Sequence, residues 1–161
     1  MPAPLIDDHY LLAFLERHPL GRMEISGSLP DPKWHGLYHP VTRTLVVNGF
    51  RLPASYGQEF GSPDLTSVSA AGPNQIEATA RSLYHELGHH LLDILGPAAI
   101  HEVQTLRRAG RTCPVSQRAR AGPLEYFAET YAAYRFEATL ADRDPEGYHM
   151  IEALLRIAWQ T

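Results

Sequence analysis

Three residues in the stretch YHELGHH, residues 84–90, have the types and spacing of a metal-dependent hydrolytic centre. His85 and His89 are four residues apart, so on a helix both imidazoles project from one face and can reach a single metal ion. Glu86 lies beside them, within reach of a water on that ion. Zinc lowers the pKa of such a water toward about 7, so a neighbouring carboxylate can accept its proton at neutral pH. The H-E-x-x-H pattern therefore predicts the zinc chemistry of a metallopeptidase.

Gly88 stands inside the same helical stretch and immediately before the second histidine. A glycine in a helix interior costs about 1 kcal/mol relative to alanine. Close approach of another backbone is the usual justification for that cost. A side chain at this position could crowd either the metal face or the helix that supplies the third ligand, so we expect one of the two to lie close to Gly88.

A catalytic zinc site needs a third protein ligand. Leu95 stands six residues after His89, so the three-histidine variant of the motif is absent. Asp93 lies on the ligand face and is better placed as an outer carboxylate that holds an imidazole. Glu125 and Glu129 lie one turn apart in the apolar stretch EYFAETYAAY, where a carboxylate needs a partner. We assign Glu125 as ligand and Glu129 as its outer hydrogen-bond acceptor, with the reverse assignment as the rival.

The elements that must position these residues can be predicted from apolar periodicity and end signals. An amphipathic helix is expected after an N-cap at Asp7, and His18-Pro19 ends it. Four more helices are predicted over 74–95, over 98–109 with Gly110 as its cap, from Pro123 through Leu140, and from Asp144-Pro145 to near Trp159.

The region between the first two helices has β character. RMEIS is strand-like, and WHGLY and RTLVVN predict an antiparallel hairpin. Residues 52–73 have the glycine and proline content of a long loop. The predicted fold is a single α+β domain over residues 1–161, in which a small antiparallel N-terminal sheet packs on a helical body.

Composition limits the partners. A net charge of −4 and a pI of about 6.1 indicate no basic patch, so neither nucleic acid nor membrane lipid is an expected partner. The single cysteine, Cys113, excludes an internal disulfide framework and is compatible with a reducing cytoplasm. The N-terminal stretch has neither the charge pattern of a secretory signal nor the length of a membrane span. The chain is expected to be cytoplasmic as synthesised, with leaderless export, or excision from a longer chain, as alternatives.

The motifs resemble those of a known family. HELGHHLLDIL, followed after a spacer by PVSxxAxxxPLEYFAETYAAY, is similar to the catalytic domain of anthrax-toxin lethal factor and its relatives, which include the Pro-Pro endopeptidases. The likeness covers residues 80–136 and extends more weakly to the hairpin. It implies a zincin-like (gluzincin) fold with one Zn²⁺, ligands His85, His89 and Glu125, and Glu86 as the general base for peptide-bond hydrolysis.

The chain departs from that family at one position. A tyrosine that supports the oxyanion commonly stands seven residues before the glutamate ligand, where this chain has Arg118. A guanidinium there, from Arg118 or Arg120, can donate to a developing oxyanion. The same substitution is also what a scaffold that has lost catalysis would show.

Two functions from different classes follow. The first is a zinc endopeptidase whose extended polypeptide substrate pairs with an edge strand over Thr44–Asn48. The second is a catalytically silent zinc-binding structural or interaction module of a phage particle or secreted assembly. A toxin or effector would share the first chemistry in another setting, and neither substrate identity nor oligomeric state follows from the sequence.

Overall fold

The computed structural model describes residues 6, 8–26, 36–48 and 73–161. Its elements, in chain order, are α1 (His9–Arg17), β1 (Arg22–Ser26), β2 (Gly36–His39), β3 (Thr44–Asn48), α2 (Pro73–Leu95), α3 (Pro97–Arg108), a 3-10 helix (Arg118–Arg120), α4 (Pro123–Phe136), α5 (Leu140–Arg143) and α6 (Pro145–Gln160). The chain divides into two compact units, Met1–Glu86 and Leu87–Thr161, and the boundary falls inside α2. The general α+β class is confirmed, and the single domain over 1–161 stays a prediction.

Helix α1 begins one residue later than predicted. The N-cap is Asp8, whose side chain accepts hydrogen bonds from the backbone N–H groups of Tyr10 and Leu11. Asp7, the predicted cap, lies outside the described residues, as does most of the predicted loop over 52–73. Leu11 and Phe14 are fully buried, so this helix buries an apolar face as the periodicity predicted.

The three strands form a mixed sheet in the order β1-β3-β2. The predicted hairpin is confirmed, because β2 and β3 pair antiparallel with Gly36 opposite Val47. The prediction of an antiparallel sheet is wrong for β1, which pairs parallel to β3 with Arg22 opposite Thr44. The prediction of Thr44–Asn48 as an edge strand is also wrong, because β3 is the central strand. Within the described sheet, β2 is an edge.

Helix α2 spans 23 residues and carries the two histidines. The sequence predicted a single apolar stripe, but the middle of the helix is buried nearly all round. Leu83, Leu87 and Leu91 are fully buried on the predicted stripe. The polar residues His85, Glu86 and His90 are also buried. A helix so covered must give its polar side chains partners within the protein.

The second unit is helical. Helix α3 ends at Arg108, and Gly110 turns the chain with a φ of 75°, a left-handed value that favours glycine. Helix α4 ends at Phe136, not at Leu140 as predicted, because Glu137 adopts an extended backbone. The short α5 follows and was not predicted. Helix α6 begins at the predicted Asp144-Pro145 signal, and the Asp144 side chain accepts from the Gly147 N–H.

In the described ranges, no helix has the length and apolarity needed to cross a membrane.

Candidate metal centre

The three predicted ligand residues come together. His85 and His89 lie one turn apart on α2, and Glu125 lies in the first turn of α4. One potential ligand atom from each residue can be chosen so that all three lie within 4.8 Å of one another. The closest measured pair is His89 Nε2 and Glu125 Oε1, at 3.3 Å. Glu129 is not part of this group, which favours Glu125 over its rival.

The donor set and its spacing fit a zinc ion. Two atoms bound at about 2.1 Å to a tetrahedral zinc lie about 3.4 Å apart, close to the His89–Glu125 distance. Two imidazoles and one carboxylate are also a common ligand set of catalytic zinc. A simple imidazole–carboxylate ion pair would give the same pair distance, but it would not need a second imidazole from His85. The arrangement is compatible with a bound metal ion.

Gly88 is the point of closest approach between α2 and α4. A Cβ atom at this position would lie 3.0 Å from Ala128 Cα and 3.3 Å from Tyr131 Cδ1. Both neighbours belong to α4, the helix that carries Glu125, so of the two predicted reasons it is the close approach of the ligand helix that the contacts support. The missing side chain lets the α4 backbone come close enough for Glu125 to reach His89.

Glu86 is a buried residue beside His85. It is 2% exposed, and its Oε1 lies 4.0 Å from His85 Nε2. The backbone of Gly36 in β2 covers it, since a Cβ there would lie 2.6 Å from Glu86 Oε1. This contact was not predicted from the sequence. A glycine inside the strand pattern WHGLY was the available signal, because strand glycines often mark close approach.

Arg118 forms a hydrogen bond with Glu125, the candidate ligand on α4. Its Nε donates a hydrogen bond of 3.0 Å to Glu125 Oε2, the oxygen that does not face His89. Both side chains keep partial exposure, 42% for Arg118 and 28% for Glu125. The guanidinium therefore contacts the ligand carboxylate directly, a contact that the sequence analysis did not predict. Its predicted role toward an oxyanion stays a prediction.

Glu129 is bound one turn further along α4. Its Oε2 accepts a 2.7 Å hydrogen bond from the Ser116 hydroxyl, which in turn accepts from the backbone N–H of Ala119. Glu129 thereby anchors the segment that leads into the 3-10 helix, and that helix carries Arg118. Glu129 lies outside the ligand group, and its predicted role as the outer hydrogen-bond acceptor of a ligand stays a prediction.

Tyr126, the residue after the candidate ligand, fixes the rotation of α4. It is fully buried, and its hydroxyl donates a 2.5 Å hydrogen bond to Asp144 Oδ2. Burial, together with that hydrogen bond to a carboxylate, raises the pKa of Tyr126 well above its usual value. Because Tyr126 points toward Asp144, its neighbour Glu125 projects from a different side of the helix.

No protein-family model matches this chain, and a search of curated proteins found no match either.

Proposed function

We propose that this chain is a zinc-dependent endopeptidase that hydrolyses peptide bonds of an extended polypeptide. The convergence of His85, His89 and Glu125, whose candidate ligand atoms lie within 4.8 Å of one another, is the observation that carries the proposal. The resemblance to the lethal factor catalytic domain and the Pro-Pro endopeptidases supports it, because the motif residues of that family fall on these positions.

In the proposed site, His85, His89 and Glu125 hold the metal. When bound, Zn²⁺ would polarise the substrate carbonyl and lower the pKa of the attacking water toward about 7. The rest of the chemistry belongs to the chain. Glu86 accepts the proton of the water and passes it to the leaving amine. Its burial and its contact with the Gly36 backbone keep the carboxylate oriented before substrate arrives.

The substrate would pair with β2. Within the described sheet this strand is an edge, and its own Gly36 lies against Glu86. An extended peptide added along β2 would bind through backbone hydrogen bonds and run beside the general base. This proposal replaces Thr44–Asn48, which is central in the sheet.

One observation favours the second candidate, a catalytically silent zinc-binding structural or interaction module. Arg118 occupies the position of the oxyanion tyrosine in the resembled family, and it is engaged with Glu125. A guanidinium bound to a ligand carboxylate is less available to a developing oxyanion. The buried, oriented Glu86 favours the enzyme, because a purely structural site gains little from a general base.

The two candidates separate in a comparison of wild type with Glu86→Gln. Metal content is measured by mass spectrometry, and cleavage is measured on a random peptide library. For an enzyme, both proteins hold about one zinc per chain, while Glu86→Gln cleaves roughly 100-fold to 10,000-fold more slowly because its general base is lost. Zinc in both proteins with no cleavage by either would favour the silent module.

Glu125→Gln tests the third ligand, with Glu129→Gln as the matched control one turn along the same helix. The first variant is expected to lose zinc and the second to retain it, because only Glu125 belongs to the ligand group. Zinc loss in Glu129→Gln alone would reverse the assignment of the two carboxylates. Full zinc retention in both variants would refute the proposed site.

A further inference from the structure

A cavity of about 380 Å³ opens at the carboxyl end of α3, and its lining is basic. It is lined by Gln104, Arg107, Arg108, Thr112, Pro114 and Arg120, with no acidic residue among them. We call it the arginine cavity. All of its lining belongs to the second unit, and none of it belongs to the ligand group.

The local charge around this cavity differs from the net charge of the chain. Residues 107–120, RRAGRTCPVSQRAR, contain five of the 14 lysines and arginines and no aspartate or glutamate. The net charge of −4 had predicted no basic patch, and that prediction is wrong at this place. A sum over the whole chain does not report how charge is distributed along it.

The three lining arginines are not neutralised by carboxylates within the described residues. Arg107 donates a 3.2 Å hydrogen bond to the backbone carbonyl of Arg120, and neither Arg108 nor Arg120 makes an ion pair there. Cationic side chains in the last turn of a helix are ordinary, because they offset the negative end of the helix dipole. That explains Arg107 and Arg108. It does not explain Arg120, which reaches the same cavity from the 3-10 helix.

The lining segment that follows α3 is held in place by hydrogen bonds. Cys113 N–H donates to Asp144 Oδ1 at 3.1 Å, and Arg143 donates to the Val115 carbonyl at 3.2 Å. Ser116 is bound to Glu129. The segment that carries Thr112 and Pro114 is therefore tied at three points to α4, to the end of α5 and to the N-cap of α6. A wall fixed in this way needs little further ordering when a ligand binds.

We propose that the arginine cavity binds the phosphate group of a small phosphorylated molecule. Guanidinium groups form paired hydrogen bonds with phosphate oxygens, and three of them facing one space repel each other until an anion enters. A phosphate carries more negative charge and more acceptor oxygens than a carboxylate, so three guanidinium groups together favour the phosphate. The hydroxyl of Thr112 and the amide of Gln104 add neutral hydrogen-bonding groups.

The arginine cavity is large enough to hold a molecule bigger than a free phosphate ion. Its volume falls within the range of about 300–1,000 Å³ that is typical of small-molecule sites. Pro114 supplies an apolar part of the lining against which the organic part of a phosphate monoester can rest. This site is separate from the proposed metal site, because no metal ligand contributes to it.

The test is a calorimetric titration of the full chain with inorganic phosphate and with glycerol 3-phosphate. The protein is freed of metal with a neutral chelator, and ionic strength is matched with sodium chloride because exposed charges are screened by salt. Both probes are expected to bind, and the ester at least as tightly as phosphate. Acetate at the same concentration is expected to bind at least ten-fold more weakly.

The variants Arg120→Gln and Arg108→Gln are each expected to weaken phosphate binding at least ten-fold. Arg156→Gln is the matched control, since it removes the same charge from an exposed arginine on α6 that pairs with Glu152. It should leave the dissociation constant within two-fold of wild type, as should Glu125→Gln, which removes the metal site instead.

Phosphate binding no tighter than acetate binding would overturn the proposal. So would an equal weakening in Arg156→Gln, which would show a general charge effect. Tight inorganic phosphate with no binding of the ester would restrict the ligand to the free ion and overturn the assignment to a phosphorylated molecule.

Discussion

At the scale of single residues, the Glu125 carboxylate contacts a different partner with each of its two oxygens. Oε1 lies 3.3 Å from His89 Nε2, and Oε2 lies 3.0 Å from Arg118 Nε. A guanidinium bound to one oxygen restrains rotation of the carboxylate and so determines which oxygen faces the imidazoles. In the proposed metal site, Arg118 would act as a positioning residue through Glu125.

Arg118→Gln is therefore expected to weaken zinc binding by about 10-fold to 100-fold, the usual effect of losing an outer partner of a metal ligand. Arg118→Lys should recover part of the loss, because it restores the charge without the fixed geometry of the guanidinium. Zinc affinity is measured by competition with a chromogenic chelator. Arg120→Gln is the control, since it removes the same charge two residues away and lines the arginine cavity instead.

Zinc affinity and kcat, both measured on Arg118→Gln, distinguish the two roles of Arg118. Wild-type zinc affinity combined with a lower kcat in Arg118→Gln would contradict the positioning role and favour donation to the oxyanion. A loss of zinc affinity that Arg118→Lys partly restores would support positioning.

At the scale of elements, the close packing of α4 against α2 explains the small residues at their point of contact. Seven residues of α4 are buried, among them Ala128 and Tyr131, which face Gly88 of α2. The nearest atom to a Cβ at Gly88 is a backbone atom, so a side chain there could be accommodated only by movement of the helix that carries Glu125. The helix-weakening glycine and the ligand geometry thus have one cause.

Gly88→Ala is expected to lower the free energy of unfolding by about 1 kcal/mol. Alanine gains about 1 kcal/mol of helix propensity, but overpacking against Ala128 costs about 1–3 kcal/mol. Zinc affinity should fall as well, because a shift of α4 moves Glu125. Both quantities are measured, the first by urea unfolding of the metal-free protein and the second by chelator competition.

Gly122→Ala is the matched control for that variant. It adds the same methyl group just before α4, where nothing lies within 4 Å of the new Cβ and the backbone is extended. It should leave zinc affinity unchanged. A Gly88→Ala protein that is more stable than wild type and binds zinc normally would show that the close approach carries no cost.

At the scale of the whole molecule, the sequence predicted what depends on local pattern. The bounds of α2, the pairing of His85 with His89 on one face, and the reason for Gly88 follow from helical periodicity and glycine chemistry. The parallel pairing of β1 with β3 joins segments far apart in sequence, and no local signal specifies it. The partner of Arg118 depends on a side-chain direction, and the arginine cavity depends on the folding of residues 104–120 around one space. Neither can be read from composition.

The stability of the whole chain in alkali depends on a contact that only the fold creates. Asp144 is fully buried and accepts hydrogen bonds from Tyr126, Cys113 and Gly147, so it links α4, α6 and the segment before the 3-10 helix. Tyr126→Phe removes one donor from a buried carboxylate and is expected to cost about 1–3 kcal/mol at pH 7. Urea unfolding of the metal-free protein measures the loss.

The pH dependence of that loss has a definite sign. The pKa of Tyr126 in the folded chain lies above its ordinary value of 10.0, mainly because the residue is buried. Its contribution is therefore complete below about pH 10 and is lost as pH rises further, because only the unfolded chain releases the proton. Between pH 10 and 11, wild type should lose stability more steeply than Tyr126→Phe, and the two unfolding free energies should converge. Tyr10→Phe, which alters an exposed tyrosine, should follow the wild-type curve. Parallel curves for wild type and Tyr126→Phe would contradict the raised pKa.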